Sequence, residues 1–334
     1  MEKLFKDFDK KIDEPMKFHT TFHIGGNAKC MVFPKSIFEL NRIIKICKIN
    51  NLKYFILGNG SNVLFEDSGF DGVIISTKKL NKISIQSANK NNVIVRVESG
   101  VNLYLLNKFC LDNMLYGLEW SYGIPASFGG FVFMNGGCFE HEICENILSL
   151  TILENDKIIT KNRDEINFSY RHSGIKGVIL YGDILLKKEY FLFSFFCENV
   201  DKINFQQHKT LKNYKKIIKK QVFFKLFISF SIKYLQTKYF NLKKEKQPLE
   251  YFSAGSVYKR GKDFYPAKII DKLNLKGFFI NDAEISTKHA GFIVNKKNAT
   301  FKDVISLMEM IESKVKRLGF NFEREIIIVK NTEY

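Results

Sequence analysis

Between Tyr122 and Cys138 the chain reads YGIPASFGGFVFMNGGC, with five glycines and one proline set among apolar residues. This stretch limits the possible folds more than any other. A surface loop would be more polar, and a regular element would hold fewer glycines, each of which sacrifices order and packing surface. The composition suits backbone lying flat against a large buried ligand. A second glycine-bearing stretch, Leu57–Leu64 (LGNGSNVL), directly follows an aromatic and β-branched run. Gly58 and Gly60 allow close backbone approach, and Ser61 and Asn62 add side-chain donors. Such a loop can aim several N–H groups at a pyrophosphate, although a Gly-Asn-Gly turn between two strands needs no ligand. It is neither a Walker loop nor a G-x-G-x-x-G dinucleotide fingerprint.

Around these stretches the pattern predicts mixed helices and strands. Ser36 and Glu39 form a capping box for a helix over 36–50, with Ile37, Leu40, Ile43, Ile44 and Cys47 on one face. A second helix is expected over Val101–Asn113. A third, capped by Thr300 and Asp303, carries the stripe Val304, Leu307, Met308, Ile311, Val315 and Leu318. Short β-branched runs predict strands at Tyr54–Leu57, Val73–Ser76, Val93–Val97, Ile147–Leu153, Val178–Leu186 and Ile326–Val329. The class is α+β, without the strict alternation of a doubly wound sheet. Residues 190–246 lack clear turn punctuation and permit one or two amphipathic helices without fixed boundaries.

Charge is distributed unevenly. The 334 residues carry 52 Lys+Arg against 35 Asp+Glu, a net +17 that prompts anionic partners. Thirteen lysines and one acid, Glu245, lie within 202–246, so twelve of those seventeen charges belong to that segment. A hydrophobic fraction of 45% excludes wholesale disorder, and no repeat is visible. The cysteines at 30, 47, 110, 138, 144 and 197 form no C-x-x-C pair, as expected of idle thiols in a reducing compartment, and no metal site is expected. The first fifteen residues are too charged for a signal peptide. The most apolar run, Val222–Ile232, is interrupted by Lys225 and falls short of the roughly 20 residues a spanning helix needs. A soluble, cytoplasmic protein without a membrane span is expected.

Three further places can carry chemistry. Phe168–Ser173 (FSYRHS) offers a guanidinium, Arg171, suited to a carboxylate or phosphate, or merely a surface arginine among aromatics. In Ser253–Arg260 (SAGSVYKR), Ser256 is a hydroxyl set between Gly255 and a strand-like Val-Tyr. No G-x-S-x-G elbow or triad pattern accompanies it, so proton transfer suits it better than covalent attack. Glu323-Arg324-Glu325 opens the last strand. One of its two carboxylates must face inward if that strand is packed, although a solvated strand end is the plainer alternative.

Six segments occur together in order: HTTFHIGGNA (19–28), LGNGSNVLFEDSGFDGVII (57–75), GIPASFGGFVFMNGGCFEHEI (123–143), SYRHS (169–173), QPLEYFSAGSVYKR (247–260) and STKHAGFIVN (286–295). Together they resemble the UDP-N-acetylenolpyruvoylglucosamine reductase (MurB) family, in its shorter type. The resemblance covers about residues 15–190 and 247–330. It implies an FAD-binding domain of the vanillyl-alcohol-oxidase (PCMH) type over 15–190, in lobes of about 15–80 and 81–190. A C-terminal α+β substrate domain over 247–330 follows, with 191–246 as a lysine- and phenylalanine-rich linker or insertion.

The resemblance also implies an activity: NADPH-dependent reduction of UDP-N-acetylglucosamine enolpyruvate to UDP-N-acetylmuramate in peptidoglycan precursor synthesis. FAD is held noncovalently and passes hydride from N5. Matched position by position, Ser256 is the proton donor, and Arg171 and Glu325 stabilise the enolate. Gly58, Asn59, Gly60, Ser61 and Asn62, with Gly123, Ile124, Pro125, Ala126, Ser127, Gly129 and Gly130, would line the FAD. Tyr170, Lys259 and Arg260 would meet the substrate's diphosphate or carboxylate. A monomer without a nucleic-acid partner is expected. Departures from the usual family pattern are Ala126 for Gly, Gly136-Gly137-Cys138 for Ala-Gly-Ala, Pro266-Ala267 for Ala-Gly and Asn281-Asp282 for Gly-Gly, all expected near the ligand. Two other readings compete. One is a sibling flavin oxidase tethering FAD, with His19 and His23 nearby but read as noncatalytic. The other is a nucleic-acid-binding protein using 202–246.

Overall fold

The computed structural model describes residues 1–188 and 211–331, and in the helix that begins at Leu211 it describes side chains from 229 onward. The part of the 190–246 expectation that falls on 189–210 lies outside the described residues. From Leu211 to Lys246 the chain is a single helix of 36 residues.

The first lobe is a four-stranded mixed sheet. Lys10–Pro15 pairs antiparallel with Asn27–Val32, which runs parallel to Phe70–Ser76, itself parallel to Tyr54–Leu57. Helix α1 (Ile37–Ile49) covers one face, burying Leu40, Ile43, Ile44 and Cys47 as the 3.6-residue spacing requires. Half of the expected capping box forms: the Ser36 hydroxyl accepts from Glu39 N at 3.2 Å, while Glu39 Oε2 accepts from Lys35 N at 2.8 Å rather than from Ser36 N. The opposite face is closed by Met16, Met31, Phe65 and Phe70.

The second lobe is an antiparallel sheet ordered Lys157–Asn162, Ile147–Glu154, Val178–Lys188, Asn92–Glu98, Ile83–Ala88, with Leu115–Tyr116 also pairing the central strand. Val93, Val95 and Val97 are buried in strict alternation, the period-2 signature of a strand with one covered face. Helix α2 (Leu103–Asp112) starts two residues later than the pattern suggests, because Asn102 is its cap and accepts from Tyr104 N at 2.8 Å. The glycine-rich stretch differs from expectation too. Although a regular element is expected to hold fewer glycines, Phe128–Phe133 turns as a short helix, α3, capped by Ser127.

After α4 (Leu211–Lys246), a third sheet is ordered Phe252–Ser256, Phe292–Asn295, Ala283–Ile285, Phe279–Ile280. Helix α5 (Pro266–Lys272) places Pro266 at its first turn, where a missing N–H costs nothing. Helix α6 (Phe301–Lys316) buries Val304, Leu307, Met308, Ile311 and Val315 against this sheet. Leu318, expected on the same stripe, lies past the helix end and is 55% exposed. The last strand, Ile327–Val329, returns to the first lobe and runs parallel to Val63–Phe65. This return brings Glu325 beside the Gly58–Asn62 loop. Among the described residues no helix is long and apolar enough to cross a membrane.

Candidate functional site

A cleft of about 1580 Å³ opens where the three sheets meet. That exceeds the roughly 300–1,000 Å³ of a single small-ligand pocket, so it has room for two ligands side by side. One wall is peptide. Gly58 to Asn62, Gly123 to Ser127, Gly129 and Gly130 all line it. The two stretches are tied together, since Asn59 Nδ2 donates to Pro125 O at 2.6 Å. Glycine is needed here for space. A Cβ on Gly58 would stand 2.2 Å from Ser127 Oγ. One on Gly60, whose φ is +69°, would stand 2.1 Å from His19 O. Gly130 instead opens on the cleft, with only Ser127 Oγ within 4 Å of the missing Cβ. The Ser99 hydroxyl is buried on the same wall and has no hydrogen-bond partner among the described residues. A long ligand with hydrogen-bonding oxygens and a flat ring, such as FAD, fits this wall.

The opposite wall is made of side chains. Arg171 Nε lies 2.9 Å from Glu325 Oε1, Nη1 lies 3.9 Å from Glu142 Oε1, and Nη2 donates to Gly137 O at 2.9 Å. The arginine backbone is left-handed, φ +55°, in a tight turn where Ser169 and His172 exchange backbone hydrogen bonds. That conformation costs on the order of 1–3 kcal/mol and persists because the surroundings hold it. Glu325 is fixed from both sides: its N–H donates to Val257 O at 2.9 Å, and its carbonyl accepts from Asn62 Nδ2 at 3.0 Å. Burial pushes the Glu325 carboxyl above the usual glutamate range, outweighing the opposing pull of Arg171 and Lys259. Of the two alternating carboxylates, Glu325 is therefore the inward one; the Glu323 side chain is 73% exposed.

Ser256 sits just after a bulge in the pairing of Phe252–Ser256 with Phe292–Asn295. Gly255, at φ +79°, makes that bulge, and nothing lies within 4 Å of its missing Cβ. The Ser256 hydroxyl donates to Tyr258 O at 3.2 Å and lines the cleft. Ser256, Arg171 and Glu325, far apart in sequence, thus share one cavity. Tyr170 and Arg260 line it as well, the guanidinium 5.0 Å from the Tyr170 ring centroid. Lys259 is not among the lining residues. Its ammonium is paired with Glu323 at 2.6 Å, and its charge acts on Glu325.

Two residues overlooked in the sequence face the cleft, His289 and Lys243. His289 lies within STKHAGFIVN (286–295), where nothing local marks it as a site residue. Burial lowers its pKa, so the neutral ring is favoured. Lys243 was one lysine among thirteen, and only tertiary packing singles it out. His19 bonds Glu14 Oε1 at 2.7 Å, and His23 stacks on Phe252 at 3.6 Å. Neither lines the cleft, so nothing here favours a histidine tether. Asn281-Asp282, expected near the ligand, instead forms a hairpin turn outside the lining. There Asn281 takes φ +49°, a conformation that asparagine tolerates in place of glycine. Five cysteines of the described residues are free thiols, and those residues hold no metal-ligating cluster.

Comparison with known proteins supplies the family. An FAD-binding domain model matches residues 28–160, and the model of the UDP-N-acetylenolpyruvoylglucosamine reductase C-terminal domain matches 247–329. A UDP-N-acetylenolpyruvoylglucosamine reductase of Clostridium kluyveri is 38% identical over 321 residues, covering 95% of this chain and 91% of its own. The chain belongs to this reductase family. A namesake from Pseudothermotoga lettingae is 36% identical over 330 residues, covering 97% of this chain and 99% of its own. The crystal structure of the Thermus caldophilus reductase (MurB) shares the fold, with a TM-score of 0.73 at 24% identity over 97% of this chain and 99% of that one. The α+β class and the order of an FAD-binding domain before a reductase C-terminal domain follow, and FAD is the cofactor.

Proposed function

We propose that the protein reduces UDP-N-acetylglucosamine enolpyruvate to UDP-N-acetylmuramate at the expense of NADPH, a step in making peptidoglycan precursors. The observation that carries this reading is the convergence of Ser256, Arg171 and Glu325 on a cleft whose facing wall is glycine backbone. We assign residues 15–190 to FAD, 247–330 to the substrate and 191–246 to the segment that joins them. FAD, held by the peptide of Gly58–Asn62 and Gly123–Gly130, would supply two-electron hydride chemistry between NADPH and the enolpyruvyl group.

The chain's own residues do the rest. The twelve lining residues of the two glycine stretches hold the cofactor without covalent attachment. Hydride addition pushes negative charge onto the substrate carboxylate. The Arg171 guanidinium neutralises that charge, and a Glu325 carboxyl that keeps its proton to raised pH donates a hydrogen bond to it. Ser256 then gives its hydroxyl proton to the α-carbon. An alcohol is a poor acid in water, so its usefulness depends on fixed placement beside the developing charge. Arg260, flanked by Tyr170, is the cation for the diphosphate. Lys259 is better read as tuning Glu325 than as a substrate contact.

The test is a pair of stopped-flow half-reactions. NADPH should bleach the flavin, and UDP-N-acetylglucosamine enolpyruvate should restore its colour with formation of UDP-N-acetylmuramate. A reduced flavin that reoxidises only with oxygen would overturn the substrate assignment.

A further inference from the structure

The lysine-rich segment delivers one ammonium to the interior. Lys243, near the end of α4, is 3% exposed, and its Nζ donates to Trp120 O at 2.9 Å and to Tyr122 O at 2.5 Å. Those carbonyls belong to the turn that leads directly into Gly123, where the peptide wall of the cleft resumes. One turn earlier on the same helix face, Phe240 presses on Gly123, whose missing Cβ would stand 2.6 Å from the Phe240 ring. A further turn back, Gln236 donates to Asn107 O at 3.1 Å and to Asn107 Oδ1 at 3.3 Å. The spacing 236, 240, 243 puts all three on one face of α4, which clamps the turn and the start of the glycine stretch.

A buried ammonium is costly, and a methionine would fill similar space without desolvating a charge. Keeping the charge makes sense if its hydrogen bonds do something that shape alone does not. The two carbonyls take two of the three N–H donors, and the side chain borders both the cleft and the Phe139 ring, 5.7 Å from its centroid. We propose that Lys243 is a cofactor-positioning residue. By drawing the Trp120 and Tyr122 carbonyls onto one ammonium, it fixes the turn that sets Gly123–Pro125 and so the surface against which FAD rests. The lysine-rich segment thereby becomes part of the cofactor site through a single side chain.

The inference rests on FAD lying along this wall, and the experiment separates the two ideas. Apoprotein is titrated with FAD, following quenching of flavin fluorescence, for the parent chain, Lys243→Met and Lys243→Arg. The expected result is FAD affinity at least about tenfold weaker in K243M, with a shifted visible band of the bound flavin. K243R, which retains a charged multiple donor, should stay within about threefold of the parent. Parent-like affinity and spectrum in K243M would overturn the proposal. So would equal loss in K243R, because the effect would then be one of shape. If K243M does not fold, Lys243→Gln takes its place and must bind FAD more weakly than K243R. A parent chain that takes up no FAD would break the flavin reading itself.

Discussion

Along one wall of the cleft the groups that meet a ligand are peptide: Gly58 to Asn62 and the stretch from Gly123 to Gly130. Along the other they are side chains: Arg171, Ser256, Glu325 and Arg260. The first wall is intolerant of added atoms, because a Cβ at Gly58 or Gly60 would collide with Ser127 Oγ or with His19 O. The second is intolerant of lost groups, because Arg171 and Glu325 pair with each other and losing either strands its partner. A wall of backbone suits a resident group held by many N–H and C=O contacts. A wall of paired charges suits a substrate whose charge changes during reaction. Substitutions on the two walls should therefore fail in different ways, which gives the division its tests.

The largest effect is expected on the side-chain wall. Ser256→Ala should leave flavin reduction by NADPH intact and slow reoxidation by the enolpyruvyl substrate about 10³-fold, within the range of a lost general acid. Equal slowing of both half-reactions would break the division of labour. On the peptide wall, Gly60→Ala meets both a positive φ of +69° and a backbone oxygen 2.1 Å away. FAD affinity should fall about 100-fold, equivalent to roughly 3 kcal/mol of strain. In whatever fraction retains flavin, the ratio of the two half-reaction rates should stay near that of the parent. A changed ratio would show that the walls are not separable.

Glu325→Gln tests the charged wall more finely, with an expected loss of about 10²-fold in reoxidation. Burial raises the pKa of Glu325, so the protonated carboxyl is present at low pH and is lost as pH climbs through that raised value. In the parent, reoxidation should therefore decline along that limb. Glutamine donates at every pH, so E325Q should be slower but flat there. Persistence of the limb in E325Q would assign it to another group.

The two walls also differed in how far they could be read in the sequence. The peptide wall shows itself because a Cβ-free surface needs glycines close together in the chain, and their density is visible without any structure. The charged wall draws on three segments, with Arg171, Ser256 and Glu325 each more than sixty residues from the next, so only the family resemblance joins them. Local rules sufficed for α1 and α6, whose caps and stripes occupy consecutive residues. They failed for the edge strands Lys10–Pro15 and Lys157–Asn162, whose largely polar, half-exposed sequences carry no apolar period. The surroundings of Lys259 and Lys243 are illegible in the sequence for one reason. Whether a lysine faces solvent, a carboxylate or a buried carbonyl is decided by what packs opposite, and neither lysine's neighbours in the chain record it.

The smallest expected effect concerns what supports the charged wall from behind. Helix α6 packs under the sheet that carries Ser256, and its first turn is closed by a reciprocal box: Asp303 N donates to Thr300 Oγ1 at 3.2 Å, and Thr300 N donates to Asp303 Oδ2 at 2.9 Å. Asn281 Nδ2 adds a bond to Asp303 Oδ1 at 2.7 Å. Burial works to raise the Asp303 pKa, but these hydrogen bonds to the charged form outweigh it and hold the pKa below the usual aspartate value. A carboxyl lowered on folding stabilises the folded state above its unfolded pKa, and that contribution is lost as pH falls through the folded value. Asp303→Asn should therefore cost about 1 kcal/mol at neutral pH, seen as a lower Tm, and the gap to the parent should close on acidification. FAD affinity should not change, since the Asp303 carboxylate bonds Thr300 and Asn281 and neither glycine stretch. Flavin loss in D303N with Tm unchanged would show that the two walls share their support.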